Sequence, residues 1–172
     1  MANLATAEAL IARWHEALRD PSLRDLPYKI EINAWGKLEM TPASNRHGRL
    51  QIAIGAELMR QLPDGVVISE CSILTHIGIR VPDVVWASPD FMRDFGEITP
   101  YVQAPEICIE IISPSNVQAE IEGKRGAYFA AGAREVWLVS EDGTIRYFGP
   151  AGEKTASDYP VQITLPPPAH KR

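Results

Sequence analysis

Apolar residues recur along the chain with two different periods, and these periods predict where helices and strands lie. In residues 5–19 and again in residues 46–62, apolar side chains recur every three or four positions, which predicts two amphipathic helices. Ser115 and Gln118 fit a capping box, so a third helix is predicted to begin there and to end near Ala131. The segments between these helices show alternation or continuous apolar runs, which are typical of strands.

Short apolar runs bounded by Gly, Pro and Asn predict the strands. The most continuous run is residues 107–112 (ICIEII), which is typical of a strand covered on both faces at the centre of a sheet. Residues 88–104 and 149–160 carry several turn residues and are predicted to be loops. The predicted strands are a hairpin within residues 28–40, strands at 66–71, 74–79, 84–87, 107–112 and 135–139, a hairpin strand at 145–148 and an edge strand at 161–165.

The order of these elements predicts an α/β (α+β) fold with one central mixed sheet flanked by helices. The strand, helix and strand from residue 107 to residue 139 are predicted to form a parallel crossover. A length of 172 residues suits one domain, which is predicted to span residues 1–165. Residues 166–172 (PPPAHKR) are predicted to be a flexible tail.

Composition places the chain among ordinary globular proteins, with 45% apolar and 23% charged residues. The N-terminus lacks the basic start of a signal peptide, and no apolar run reaches the roughly 20 residues that cross a bilayer, so a cytoplasmic location without membrane contact is expected. The net charge of −5 argues against broad, nonspecific binding of nucleic acid. Cys71 and Cys108 form no metal-binding or disulfide pattern and are predicted to be buried thiols.

Several enzyme classes are disfavoured by the motifs that the sequence lacks. It contains no HExxH zinc helix, no GxSxG nucleophile elbow, and neither a GxxxxGK[ST] nor a GxGxxG phosphate loop. The sequence therefore argues against zinc proteases, serine hydrolases with a nucleophile elbow and nucleotide-binding enzymes.

Three charged residues stand where a charge is unfavourable unless it is paired. Asp83 follows Pro82 at the start of a predicted strand, and Glu110 lies inside the central one. On the next helix, Lys124 shares a stripe with Tyr128 and other apolar residues, so it is predicted to face the sheet. Two carboxylates and a lysine suggest a divalent-metal site and phosphodiester chemistry, in which the lysine orients a water or stabilises developing charge.

Strand parity separates the two acidic residues of the central strand. Glu106 and Glu110 point to the same face, but four residues place them roughly 13 Å apart, too far to bind one ion together. Glu110 lies deeper in the strand and is the better candidate ligand. If the strand at 84–87 is its neighbour, Asp83 and Glu110 converge on one metal.

Each of these residues also has a purely structural interpretation. Asp83 could be a turn residue, and Glu110 could be half of a buried ion pair with Lys124. Glu31, on an early strand, could add a metal ligand, but an exposed hairpin position fits at least as well. His47, at a helix start, is favoured as a packing histidine over a catalytic one. Taken together, Asp83, Glu110 and Lys124 favour a functional site.

Long stretches of the chain resemble one bacterial family, known as the "putative restriction endonuclease" family and formerly a domain of unknown function. The family belongs to the PD-(D/E)xK nuclease superfamily. The similarity covers about residues 5–150, with weaker matches at Tyr28–Asn33 and at MTPASNRHG. The specific matches are RVPDVVWAS, APEICIEIISPSN and EGKRGAYFAAGAREVWLVSEDG.

The resemblance implies a nuclease-like fold and hydrolysis of phosphodiester bonds. Asp83 matches the motif aspartate and Glu110 the (D/E) position, and the two would hold Mg²⁺, for which Mn²⁺ can substitute. Lys124 would position the nucleophile. The accessory candidates are Glu106 as an outer ligand or its support, Glu31 and His47.

One position departs from the superfamily pattern. The superfamily lysine normally follows the second acidic residue by two positions, where this chain has Ile112, and the resemblance implies that Lys124 of the next helix has taken its place. The alternative is a catalytically degenerate nuclease fold that acts as a binding or assembly module. The expected partners are DNA as substrate and a second copy of the chain, for which the hairpin at 141–149 offers an edge.

Overall fold

The computed structural model describes residues 4–169, which contain ten strands, four α-helices and one short 3-10 helix, Pro21–Leu23. The helices are α1 (Ala7–Arg19), α2 (Asn45–Gln61), α3 (Pro89–Phe95) and α4 (Gln118–Ala130). The strands are β1 (Tyr28–Asn33), β2 (Leu38–Pro42), β3 (Val66–Ser69), β4 (Ile73–Thr75), β5 (Gly78–Arg80), β6 (Val84–Ala87), β7 (Ile107–Ile112), β8 (Glu135–Ser140), β9 (Ile145–Gly149) and β10 (Gly152–Lys154). The predicted mixture of α and β structure is confirmed.

The larger sheet is mixed, as predicted, and has six strands in the order β10-β9-β8-β7-β6-β3. β7 and β8 are parallel, with Ile109 opposite Trp137, and the other neighbouring pairs are antiparallel. α4 connects β7 to β8, which confirms the predicted crossover. Because β10 pairs with β9, the hairpin at 141–149 is not the free edge that the sequence suggested.

β7 is buried on both faces, and its alternation confirms the predicted parity. Ile107, Ile109 and Ile111 lie in one core cluster together with apolar residues of α2. Cys108 lies in a second cluster with Tyr128 of α4. Glu110 has the parity of Cys108, so its side chain points to the side of the sheet that α4 covers.

Both cysteines are buried thiols, as predicted. Burial raises the pKa of Cys71 to about 12 and that of Cys108 well above its ordinary value. Since the thiolate is the reactive form of cysteine, neither residue is a nucleophile near neutral pH.

A second sheet, antiparallel and four-stranded in the order β2-β1-β5-β4, departs from the prediction of a single sheet. The segment 74–79, predicted as one strand, is a tight hairpin of β4 and β5. Gly78 allows β5 to approach β1, because its φ is +115° and a Cβ there would lie 2.0 Å from the carbonyl oxygen of Ile32. Strands of three residues carry too little periodicity to be recognised in a sequence.

The two predicted loops contain regular structure, and the predicted edge strand at 161–165 does not form. α3 lies within the segment 88–104, where the hydroxyl of Ser88 caps the helix by accepting from Phe91 N. β10 lies within the segment 149–160. The Ser88-Pro89 pair is a helix-start signal, which the surrounding turn residues outweigh when the sequence is considered alone.

α4 begins without the capping box that the sequence predicts. Its N-cap is Val117, and no side chain caps it. The hydroxyl of Ser115 lies 2.7 Å from that of Ser113, and Gln118 donates to Glu122 within the helix. The capping-box prediction is wrong because the turn after β7 holds Ser115 away from the helix terminus.

The last three residues of the predicted tail, 170–172, lie outside the described residues. In its earlier part, the carbonyl oxygens of Pro166 and Pro167 accept hydrogen bonds from Arg46 at 2.7 and 3.3 Å. Within residues 4–169, none of the helices has the length and apolar character needed to cross a bilayer. The domain bounds, the cytoplasmic location and the homodimer stay predictions.

Candidate active site

Asp83 and Glu110 stand opposite each other on neighbouring strands. β6 and β7 are antiparallel with Val84 opposite Ile109, so the next pair in the register is Asp83 and Glu110. Asp83 N donates to Ile109 O at 3.0 Å, and Asp83 Oδ2 accepts from Ile111 N at 2.7 Å. The two predicted ligands therefore lie close together, as expected if β6 and β7 are neighbours.

Lys29 lies between these two carboxylates. Its Nζ is 2.8 Å from Asp83 Oδ1 and 3.5 Å from Glu110 Oε2. The side chains of Asp83 and Glu110 are only 1% and 9% exposed, so their charges need partners within the protein. Burial acts to lower the pKa of Lys29, but the carboxylates outweigh it and raise that pKa, which keeps the ammonium charged.

His47, at the start of α2, contacts the same carboxylate. Its Nε2 lies 3.1 Å from Asp83 Oδ1, while Gln51, one turn later, donates to Asp83 O at 2.9 Å. Burial acts to raise the pKa of Asp83, but the hydrogen bond from His47 and the charge of Lys29 outweigh it and lower that pKa to about 2. The packing role favoured for His47 thus gives way to a direct contact with the candidate site.

Glu110 is held from the opposite side by α4. The hydroxyl of Tyr128 donates to Glu110 Oε1 at 2.5 Å, and Lys124 Nζ lies 3.7 Å from the same oxygen. Burial raises the pKa of Glu110, and the charges of Lys29 and Lys124 oppose only part of this effect. Lys124 points into the site, as its helical phase predicts.

Glu31 fixes the position of Lys124. Its Oε2 lies 2.8 Å from Lys124 Nζ, and its Oε1 accepts from Val81 N at 2.8 Å. Burial acts to raise the pKa of Glu31, but Lys124 and Lys29 outweigh it and lower that pKa. The exposed hairpin position considered for Glu31 is wrong, because its side chain is 5% exposed and pairs with Lys124 of α4.

Glu106 lies apart from this group. Its carboxylate accepts from Ser88 N at 2.9 Å and from Ser88 Oγ at 2.5 Å, so it supports the N-terminus of α3. The structure therefore does not support Glu106 as an outer ligand. The other candidates are close to one another in the structure: Asp83, Glu110, Lys124, Glu31 and His47.

An open cleft of about 960 Å³ gives access to the cluster. Lys29, His47, Glu110 and Lys124 line it together with three further acidic residues. Those acidic residues are Glu70, Glu120 and Glu141. A cleft of this size can admit a nucleotide, and the three further carboxylates weaken its attraction for a polyanion.

The carboxylate oxygens of Asp83 and Glu110 suit a hard cation, although they are not part of a three-residue set of metal ligands. Among residues 4–169, no three His, Cys, Asp or Glu side chains are arranged to hold a metal ion. Asp83 and Glu110 nevertheless share one cation, the ammonium of Lys29. Carboxylate oxygens are the donors that Mg²⁺ prefers, so the pair fits such an ion once the ammonium has moved.

Lys29 was absent from the residues that the sequence singled out. It lies two positions before Glu31 on β1, so the two side chains share a face, while Ile32 packs on the other face with α1. Alternation of this kind usually marks a solvent-facing strand face. In this protein the Lys29 face of β1 is instead turned towards Asp83 and Glu110. The second sheet, which the sequence did not predict, holds β1 in that position.

The family model described as "Uma2: Putative restriction endonuclease" matches residues 16–169 of the chain. A crystal structure titled as a putative nuclease belonging to DUF820, from Anabaena variabilis, is similar with a TM-score of 0.59. Its sequence is 17% identical, and the alignment covers 70% of this chain and 72% of that one, which shows a shared fold. No curated protein matches the sequence.

Proposed function

Because the chain belongs to the Uma2 family of restriction-endonuclease-like proteins, we propose that it is a metal-dependent nuclease that hydrolyses phosphodiester bonds of DNA. One observation carries the proposal: two carboxylates on neighbouring strands, Asp83 and Glu110, meet below an open cleft with Lys124 3.7 Å from Glu110.

Asp83 and Glu110 are the residues that would hold Mg²⁺. When bound, the ion would lower the pKa of a water molecule and neutralise charge on the scissile phosphate. Asp83 is suited to this role because its pKa of about 2 keeps it ionised over the physiological range. Tyr128 fixes the orientation of Glu110 through its hydrogen bond.

Lys124 would stabilise the negative charge that develops on the phosphate oxygens. Burial acts to lower its pKa, but Glu110 and Glu31 outweigh this and raise it, so the side chain stays cationic at neutral pH. An ammonium that is already oriented by Glu31 loses little freedom when a phosphate arrives, which is the condition for effective electrostatic stabilisation.

Cleavage of supercoiled plasmid and of single- and double-stranded oligonucleotides, with Mg²⁺ or Mn²⁺, tests the proposal. Lys124→Met is expected to lower the cleavage rate at least about a hundredfold. Lys37→Met, which removes an exposed lysine of the β1–β2 turn, is the matched control and should cleave at the parent rate. The proposal fails if no DNA is cut with either metal, or if Lys124→Met cuts as fast as Lys37→Met.

A binding or assembly module is the second candidate, and two observations favour it. Three acidic residues besides Glu110 line the cleft, and Ile112 occupies the position where the superfamily has its lysine. Such a module would bind a partner without hydrolysis, and Asp83→Asn and Glu110→Gln would leave that binding intact. Partner capture by the parent and by both variants, combined with the absence of cleavage, would select this function over the nuclease.

A further inference from the structure

Lys29 covers the deepest carboxylate of the site. The side chain of Asp83 is 1% exposed, while Lys29 and His47, which both contact its Oδ1, line the cleft. The remaining oxygen, Oδ2, accepts from the backbone N of Ile111 at 2.7 Å. A ligand that enters from the cleft therefore meets Lys29 and His47 before it reaches Asp83.

We propose that Lys29 is a built-in competitor for the metal position, and that a divalent ion binds Asp83 and Glu110 only by displacing its ammonium group. The inference rests on the proposed function insofar as that function gives these two carboxylates a divalent ion. Divalent ions sit about 2.0–2.6 Å from carboxylate oxygens. An ammonium nitrogen 2.8 Å from Asp83 Oδ1 and 3.5 Å from Glu110 Oε2 occupies the same space.

Charge balance allows such an exchange but makes metal binding weaker. Three buried carboxylates, Glu31, Asp83 and Glu110, face the two ammonium groups of Lys29 and Lys124. Arg80 also contacts Glu31, but its charge is matched by Glu39 at 2.6 Å, so one negative charge is left. Replacing one ammonium by a divalent ion leaves none. The metal-free cluster is thus nearly neutral and stable, and the ion gains less from binding than it would between two unpaired carboxylates.

The two lysines differ in how firmly they are held. Lys124 contacts Glu31 at 2.8 Å, and Glu31 is anchored in turn by Val81 N. Among residues 4–169, the ion pairs of Lys29 are those with the two carboxylates that the metal would take, so once the metal binds, its flexible side chain is free to extend along the cleft. Displacement of Lys29 therefore leaves Lys124 and Glu31 in place.

Calorimetric titration with Mn²⁺ tests the competition directly. Lys29→Gln is expected to bind Mn²⁺ with a Kd at least about tenfold lower than the parent, because the competing charge is gone. Lys37→Gln, an exposed lysine beyond the end of the same strand, should bind like the parent, and Asp83→Asn should lose binding. Equal or weaker affinity of Lys29→Gln, or no Mn²⁺ binding by the parent and Lys29→Gln alike, overturns the inference.

Amine labelling of the unaltered protein covers the case in which Lys29→Gln does not fold. Lys29 is 12% exposed in its contact with Asp83, so an amine-reactive ester read out by mass spectrometry should label it slowly without metal. Saturating Mn²⁺ should raise its labelling several-fold and leave the exposed Lys37 unchanged. Unchanged labelling of Lys29 would overturn the inference.

Neither readout depends on DNA cleavage, so the two proposals can fail separately. A protein that binds Mn²⁺ under the control of Lys29 but cuts no DNA would contradict the nuclease and leave the competitor in place. If the protein cuts DNA but Lys29→Gln binds Mn²⁺ no more tightly than the parent, the competitor role of Lys29 is contradicted and the nuclease stands.

Discussion

The hydroxyl of Tyr128 donates a hydrogen bond of 2.5 Å to Oε1 of Glu110, and both side chains are buried between α4 and β7. Removal of this donor leaves a buried carboxylate oxygen with fewer partners. Tyr128→Phe is therefore expected to lower the free energy of unfolding by about 2 kcal/mol and to slow cleavage.

Urea unfolding of Tyr128→Phe beside Tyr28→Phe measures this effect. Tyr28 is 44% exposed, so the loss of its hydroxyl should change the free energy of unfolding little. A Tyr128→Phe variant as stable as Tyr28→Phe would show that the hydrogen bond to Glu110 contributes no net stability.

Because the pKa of Asp83 is low, the free energy of unfolding should depend on pH in the acidic range. Its pKa is about 2 in the folded protein against an ordinary value of 3.8, so the folded state keeps the carboxylate ionised where the unfolded chain protonates it. The stabilisation, about 2 kcal/mol, is therefore fully present above pH 4 and is lost as the pH falls towards 2.

Asp83→Asn lacks this titration, so its stability should approach that of the parent as the pH falls from about 5 to about 2. Unfolding curves of both proteins across this range give the difference. Asp25→Asn, which alters an exposed loop residue, is the control and should follow the parent at every pH. A gap between Asp83→Asn and the parent that is constant with pH would contradict the assignment.

Glu31 acts through Lys124, so its loss should affect catalysis more than metal affinity. Glu31→Gln removes the charge that holds the ammonium 2.8 Å away, and it is expected to lower kcat at least about tenfold, a larger factor than its effect on the Kd for Mn²⁺. Glu39→Gln is a matched control, because Glu39 shares the partner Arg80 but is half exposed on β2. Equal kcat values for the two variants would exclude a positioning role for Glu31.

Gly78 allows β5 to pair closely with β1 in the second sheet. Gly78→Ala would force a Cβ against β1 at a φ of +115°, so it is expected to destabilise the protein by about 3 kcal/mol or more. Gly123→Ala, in α4 with open space around it, should instead stabilise by up to about 1 kcal/mol. Thermal unfolding of the two variants provides the test, and a Gly78→Ala protein as stable as the parent would contradict it.

The parts of the site that could be predicted lie close together in sequence. The directions of the Glu110 and Lys124 side chains could be predicted from the apolar run of β7, the apolar stripe of α4 and the order of strand, helix and strand. Strand parity and helical phase depend only on neighbouring residues, so a local pattern is sufficient. Asp83 needed one assumption, that β6 and β7 are neighbours, and the structure bears it out.

Lys29 and the second sheet could not be predicted in the same way. β4 and β5 are three residues each, and the polar face of β1 looks like a solvent-facing one until the larger sheet is known to lie opposite. The partners of Lys29 are 54 and 81 residues away, a distance over which local periodicity carries no information.

The division of the cluster between two sheets has a consequence for folding. Lys29 and Glu31 come from the small sheet, whereas Asp83, Glu110 and Lys124 come from the large sheet and its crossover helix. Closing loops of 54 and 81 residues costs more conformational entropy than forming the β7–α4–β8 unit, so that unit should assemble early and the cluster late. Partial opening that separates the small sheet would then dismantle the cluster while most of the core stays folded, and hydrogen exchange in β1 should be faster than in β7.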